Sequence, residues 1–127
     1  MDKRTEKLAQ NIVGYSCRVQ KGENVMVSCT GESTFPLVRA VIKEIYKAGG
    51  RPYVEIKNSS VERELLMGIT KEQLELMAKS ECDRMRQMQA YIGIRGDENP
   101  SELSDVPDEK IKMYSVDFTR PVNDIRV

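Results

Sequence analysis

Histidine is absent from this 127-residue chain. Without an imidazole there is no Ser-His-Asp triad, no Cys–His nucleophile pair and little of the usual chemistry of zinc sites. Cysteine is scarce as well: Cys17, Cys29 and Cys82 are odd in number, far apart and show no paired metal-ligand spacing. They read as buried or half-buried thiols of a reducing compartment, so a cytoplasmic location is expected. Net charge is lacking too, because 20 Lys+Arg balance 20 Asp+Glu. That balance leaves no electrostatic footprint for nucleic acid or an anionic membrane. No apolar run approaches the ~20 residues of a membrane-spanning helix, and Met1-Asp2-Lys3-Arg4 leads into no signal-peptide core. Internal repeats and low-complexity tracts are missing.

What is present is patterned. Charged residues make up 31% and apolar residues 39%, the mixture of a globular chain rather than a membrane or fibrous one. The most informative stretch runs from Glu23 to Ile56. Val25-Met26-Val27-Ser28-Cys29 is a short apolar run of the kind that fills a strand buried on both faces. Thr30-Gly31-Glu32-Ser33-Thr34 follows, with Ser33 and Thr34 both able to cap a helix. Leu37, Val38, Val41, Ile42, Ile45 and Tyr46 then recur at helical spacing, with Arg39, Lys43, Glu44 and Lys47 on the wet side. Ala48-Gly49-Gly50 supplies a left-handed C-cap, and Arg51 to Ile56 restarts an extended run with Pro52 at a sheet edge. Strand, helix and strand within ~30 residues make a right-handed βαβ unit, so these strands are predicted to be parallel neighbours.

The flanking segments extend the alternation. Thr5 to Val19 carries Leu8, Ile12, Val13 and Tyr15 at roughly helical spacing, and Gln20 to Asn24 is a polar turn around Gly22. A second helix is predicted over Val61 to Met67, after Ser60. Thr70-Lys71-Glu72-Gln73 fits a capping box that opens a third helix to about Arg86, with a stripe of Leu74, Leu76, Met77, Met85 and Met88. Methionine at that spacing is core filling far more often than a cofactor contact. Gln89 to Ile94 is a third strand, and Ser104 to Ile111 a loop leading into a short helix. Asp117 to Val127 shows no convincing apolar period. The expected fold is α/β: a three-layer, open, mostly parallel sheet flanked by helices, in a single small domain.

Ligands of open parallel sheets bind outside the C-terminal ends of the strands, where strand order reverses. Those ends offer Thr30 to Thr34 and Arg95-Gly96-Asp97-Glu98-Asn99. A helix N-terminus beside the first loop would favour an anion or a peptide carboxylate. The loop has neither the G-x-G-x-x-G fingerprint nor a Walker-type lysine, so an ordinary connecting turn is the stronger reading. Glu32 and Asp97 could meet as a carboxylate pair for acid/base work. Arg95-Gly96-Asp97 is formally the integrin-binding tripeptide, but in a cytoplasmic chain it is a chance match. Asp97, Glu98, Asp105, Asp108 and Glu109 fit no EF-hand spacing and read as a solvated acidic face.

The order of segments is more specific than any one of them. Lys7-Leu8-Ala9-Gln10-Asn11-Ile12-Val13, then Val19 to Val27, then Pro36-Leu37-Val38-Arg39-Ala40, then Ala48-Gly49-Gly50 before a strand resembles the N-terminal domain of the aminopeptidase T / aminopeptidase S family. Ile92-Gly93-Ile94 with Asn99-Pro100, and Val106-Pro107-Asp108-Glu109-Lys110, are similar to it as well. The resemblance spans about residues 5 to 115 and implies a bacterial or archaeal metallo-aminopeptidase as the parent. It implies that two divalent metal ions (Zn, Co or Mn) in a C-terminal domain activate water and polarise the scissile carbonyl. The Glu, His, Asp and Tyr ligands of that domain have no counterparts here, so no catalytic or metal-binding residue carries over.

The resemblance therefore implies a non-catalytic domain over residues 1–116, with 117–127 as the start of a linker to an absent catalytic domain. Its partners would be that domain, a peptide substrate and a second copy in a homodimer. Thr30, Glu32, Arg95 and Asp97 are the expected substrate-proximal residues, and the piece alone is expected to be inactive. The competing reading is a free-standing α/β module that binds a small anion or serves only dimerisation.

Overall fold

Val25, Met26, Val27, Ser28 and Cys29 are all buried and form the middle of β1 (Asn24–Thr30). The computed structural model describes residues 2–96 and 103–126. In it β1 lies between β2 (Arg51–Lys57) and β3 (Ala90–Arg95), in the order β2-β1-β3, and runs parallel to both. Successive side chains from Val25 to Cys29 point to opposite faces and all are buried, so both faces are covered and the sequence is a continuous run and not an alternation. The α/β class and the parallel sheet expected from the sequence are both present.

The described residues fall into two compact units, one from residues 2–57 and 88–96, the other from 58–87 and 103–126. The first unit holds the sheet together with α1 (Lys3–Asn11) and α2 (Phe35–Lys47). Register sets Val25, Val27 and Cys29 level with Ala90, Ile92 and Ile94 on one face. Ala9 and Val13 join Val38, Val41 and Ile45 of α2 in a single apolar cluster with that face. Each buried Val or Ile of the cluster contributes about 1.5–3 kcal/mol relative to exposure.

The N-terminal helix is shorter than its apolar spacing predicts. It ends at Asn11 and continues as a π-helical turn over Ile12–Ser16, closed by the Cys17 N–H donating to the Ile12 carbonyl at 2.9 Å. A π turn takes up an extra residue and shifts the phase of everything after it. Tyr15, beyond that shift, is exposed at 76%, and Leu8, which precedes the turn, is exposed at 48% because the neighbouring Ala9, in line with Val13, carries the buried face.

β2 is an edge strand among the described residues. The Arg51 N–H donates to the Glu23 carbonyl (2.8 Å), and the Lys57 carbonyl accepts from the Gly31 N–H (3.2 Å). The odd-numbered residues of β2 thus bond to β1, and Pro52, Val54 and Ile56 turn their backbone groups outward. The missing N–H of Pro52 falls where no ladder bond is lost. Gly22 and Gly49 take the positive φ predicted for their turns.

The second unit is helical: α3 (Ser59–Met67), α4 (Lys71–Met85), α5 (Asp108–Tyr114) and α6 (Arg120–Ile125), the last two joined by a π-helical turn over Ser115–Thr119. Leu66, Ile69, Leu74 and Val106 form its core, with Met77, Met113, Tyr114 and Phe118 packed around them. Helix α3 starts two residues earlier than predicted. Asn58, not Ser60, is its cap, accepting from the Ser60 and Val61 N–H groups at 3.0 and 3.2 Å. The predicted cap of α4 is in place, with the Thr70 hydroxyl accepting from the Gln73 N–H at 3.2 Å. The 117–127 segment, read as the start of a linker, is helical as far as Ile125, and Val122 in it is buried.

Candidate functional site

Parallel register makes the site. Because β1 pairs with β2 on one side and β3 on the other, strand order reverses beside β1, and outside the C-terminal ends of the strands at such a point is where open parallel sheets bind ligands. Thr30 closes β1 there, level with Lys57 of β2 and Arg95 of β3. Residues in register share a face, so one central hydroxyl lies between two basic side chains. Ser28, one step inside, is buried and donates its hydroxyl to Glu55 at 3.4 Å, and Lys57 pairs with the same carboxylate at 3.3 Å.

The loop after β1 folds tightly over the strand ends. Gly31 has φ +92°, which a side chain would resist, and its N–H reaches the Lys57 carbonyl. A 3-10 turn over Glu32–Thr34 then leads into α2. This differs from the expected capping. Thr34 already has helical backbone angles, so its hydroxyl donates back to the Gly31 carbonyl at 2.6 Å and accepts no bond from the helix. At the end of β3 the Gly96 N–H donates to the Thr30 carbonyl at 2.9 Å. A Cβ on Gly96 would lie 2.3 Å from the Ser33 hydroxyl and 2.9 Å from Thr34, so only glycine fits between the two loops.

Of the residues expected near substrate, the fold brings Thr30 and Arg95 together in register. Glu32 is on the same loop as Thr30 and is exposed. Asp97 lies outside the described residues, as do Glu98 to Asn99. Among the described residues neither Glu32 nor Arg95 makes an ion pair. Lys57 and Glu55 are the site residues that sequence reasoning missed. Their signal was present: both outer strands end on a cation after an apolar residue, Ile56-Lys57 and Ile94-Arg95. What could not be read was the register that sets both cations beside Thr30.

A hollow of about 110 Å³ between α1 and α2, lined by Glu6, Gln10, Ala40, Lys43, Glu44 and Lys47, contains none of the predicted residues. Of the cysteines, Cys29 and Cys82 are buried, and Cys17 is half-buried with its thiol pushed up by desolvation, away from a reactive thiolate. Asp105 is bound by Arg63 in the helical unit, and Asp108 and Glu109 are exposed. No group of three or more Asp, Glu or Cys side chains converges among the described residues. They do not supply the donor set of a divalent-metal centre, and no hydrolytic step is assigned to them. No helix among them is long and apolar enough to cross a membrane.

Comparison with known proteins adds a family. The family described as thermophilic metalloprotease (M29) matches residues 1–125. Among solved structures the chain is similar to wild-type AmpT from Thermus thermophilus, with TM-score 0.72 and 19% sequence identity. That likeness, one of fold at this identity, covers 95% of this chain and 31% of the other. Among curated proteins none matches by sequence.

Proposed function

The chain belongs to the thermophilic metalloprotease (M29) family, and from that membership we propose that it is the non-catalytic N-terminal domain of a two-metal aminopeptidase. The parent removes N-terminal residues from peptides in the cytoplasm, using divalent ions (Zn, Co or Mn) held by a catalytic domain reached beyond residue 117. The domain helps wall that active site and takes part in a homodimer. The observation that carries the reading is the family match along residues 1–125, in a chain spanning 31% of the AmpT structure it resembles.

What this domain adds is recognition. Thr30, Lys57 and Arg95 present a hydroxyl between two cations at the switch point, suited to a peptide carbonyl or terminal carboxylate. Glu32, exposed on the neighbouring loop, suits a cationic group of the same peptide. Asp97 belongs to the same proposed set by its place in sequence. The second reading, a free-standing module for a small anion, draws on the same Lys57–Thr30–Arg95 row.

One experiment separates them. Hydrolysis of an amino-acid p-nitroanilide panel with cobalt, zinc or manganese is compared for this chain and the full open reading frame, the latter also as Glu32→Ala and Arg95→Ala. Activity is expected only in the longer protein, with KM raised several-fold in both variants and melting temperature unchanged. Unaltered kinetics in both would remove the substrate-proximal assignment. Inactivity of the longer protein would leave the anion module as the better account.

A further inference from the structure

The outer edge of β2 is built to receive another strand. Val54 and Ile56 direct their N–H and C=O groups away from β1, and no strand among the described residues meets them. Their side chains, on the same face as Val27 and Cys29, are exposed at 39% and 64%. Open ladder groups beside exposed β-branched side chains are what strand addition uses. Resting on the dimerisation half of the proposed function, we propose that this edge pairs antiparallel with the same edge of a second copy of this chain, about a two-fold axis through Ile56.

Charge selects both the partner and the register. In a two-fold pairing through Ile56, Glu55 of each copy stands opposite Lys57 of the other. Both are non-hydrogen-bonded positions of the new ladder, where side chains approach most closely. The two Ile56 residues exchange backbone bonds at the centre, and the most exposed apolar side chain of the strand is covered by its own copy. Pro52, which has no N–H to give, falls outside the paired stretch. The neighbouring registers fail on the same criteria. An axis through Val54 sets Arg51 against Lys57 and leaves Ile56 facing Pro52. An axis through Glu55 sets that carboxylate against itself. Glu55 and Lys57 already pair within one copy at 3.3 Å, so assembly joins two dipolar pairs head to tail. A self-complementary edge closes on itself as a dimer and leaves no β2 edge for a third copy.

The test is sedimentation of this chain at increasing concentration. A dimer is expected, weakened at least about tenfold by Glu55→Lys or Lys57→Glu alone and regained in the double exchange, because two opposed pairs turn from attractive to repulsive. In a Cys17→Ser background, Ile56→Cys should oxidise to a covalent dimer, since a hydrogen-bonded antiparallel pair separates its Cα atoms by about 5.5 Å, within disulfide reach. Ile56 is exposed, so that variant does not depend on a repacked core. A dimer indifferent to the charge exchanges, or an Ile56→Cys chain that forms no covalent dimer, overturns this surface and leaves dimerisation standing. A monomer at every concentration also overturns this surface, and sedimentation of the full open reading frame then decides the dimerisation of the parent.

Discussion

Two leucines on α4, two residues apart, carry opposite consequences. A helix turns about 100° per residue, so Leu76 points about 200° away from Leu74. Leu74 is fully buried and Leu76 is 67% exposed. Leu74→Ala should destabilise the chain by about 2–5 kcal/mol through lost transfer energy and a residual cavity. Leu76→Ala should stay within about 0.5 kcal/mol. Urea unfolding at constant m-value measures both, and equal costs would mean that the helix is rotated from the position described. The buried row is Leu74, Ala78, Cys82 and Met85, at steps of four, four and three. Half of it was hidden from an apolar count because alanine and cysteine are too small or too ambiguous to mark a face. Large side chains drew the predicted stripe toward Leu76, and toward Leu8 and Tyr15 in the first helix. Size is a poor proxy for phase.

Elements were easier to read than their phases. The three strands lie within a residue or two of their apolar runs, and the parallel order followed from strand, helix and strand in so short a span. Less legible was everything set by pairing between distant segments: the β1–β3 register that brings Arg95 to Thr30, and the ion pair joining α3 to the loop before α5. In that pair the Arg63 guanidinium hydrogen-bonds the Asp105 carboxylate and holds its pKa below the usual range. A group depressed in the folded state stabilises above its unfolded pKa, about 3.9, and loses that contribution as pH falls through the folded value. The melting-temperature difference between wild type and Asp105→Asn should therefore be present at neutral pH and close in the acid range below about pH 4. A difference that stays constant to pH 2 would show that the asparagine acts through something other than the lost charge.

For the whole molecule, family membership and chemistry point to different places along the polypeptide. The family is that of a metalloprotease, yet this chain has no histidine and its described residues unite no three carboxylates or thiols. A metal bound by the folded form alone would raise stability by RT ln(1 + [L]/Kd), about 2.7 kcal/mol at a hundredfold excess over Kd. With no donor set among its described residues, millimolar cobalt, zinc or manganese is expected to leave the melting temperature of this chain where EDTA leaves it. The proposed longer enzyme should melt higher with metal than with EDTA, because its ligands would converge only in the folded state. Thermal scans of both proteins, each with EDTA and each with cobalt, read this directly. A rise of several degrees in this chain would place a metal site within residues 1–127 and move the chemistry into the domain described as its wall. A rise confined to the longer protein would leave this domain the tasks proposed for it: binding peptide at the strand ends and a second copy along β2.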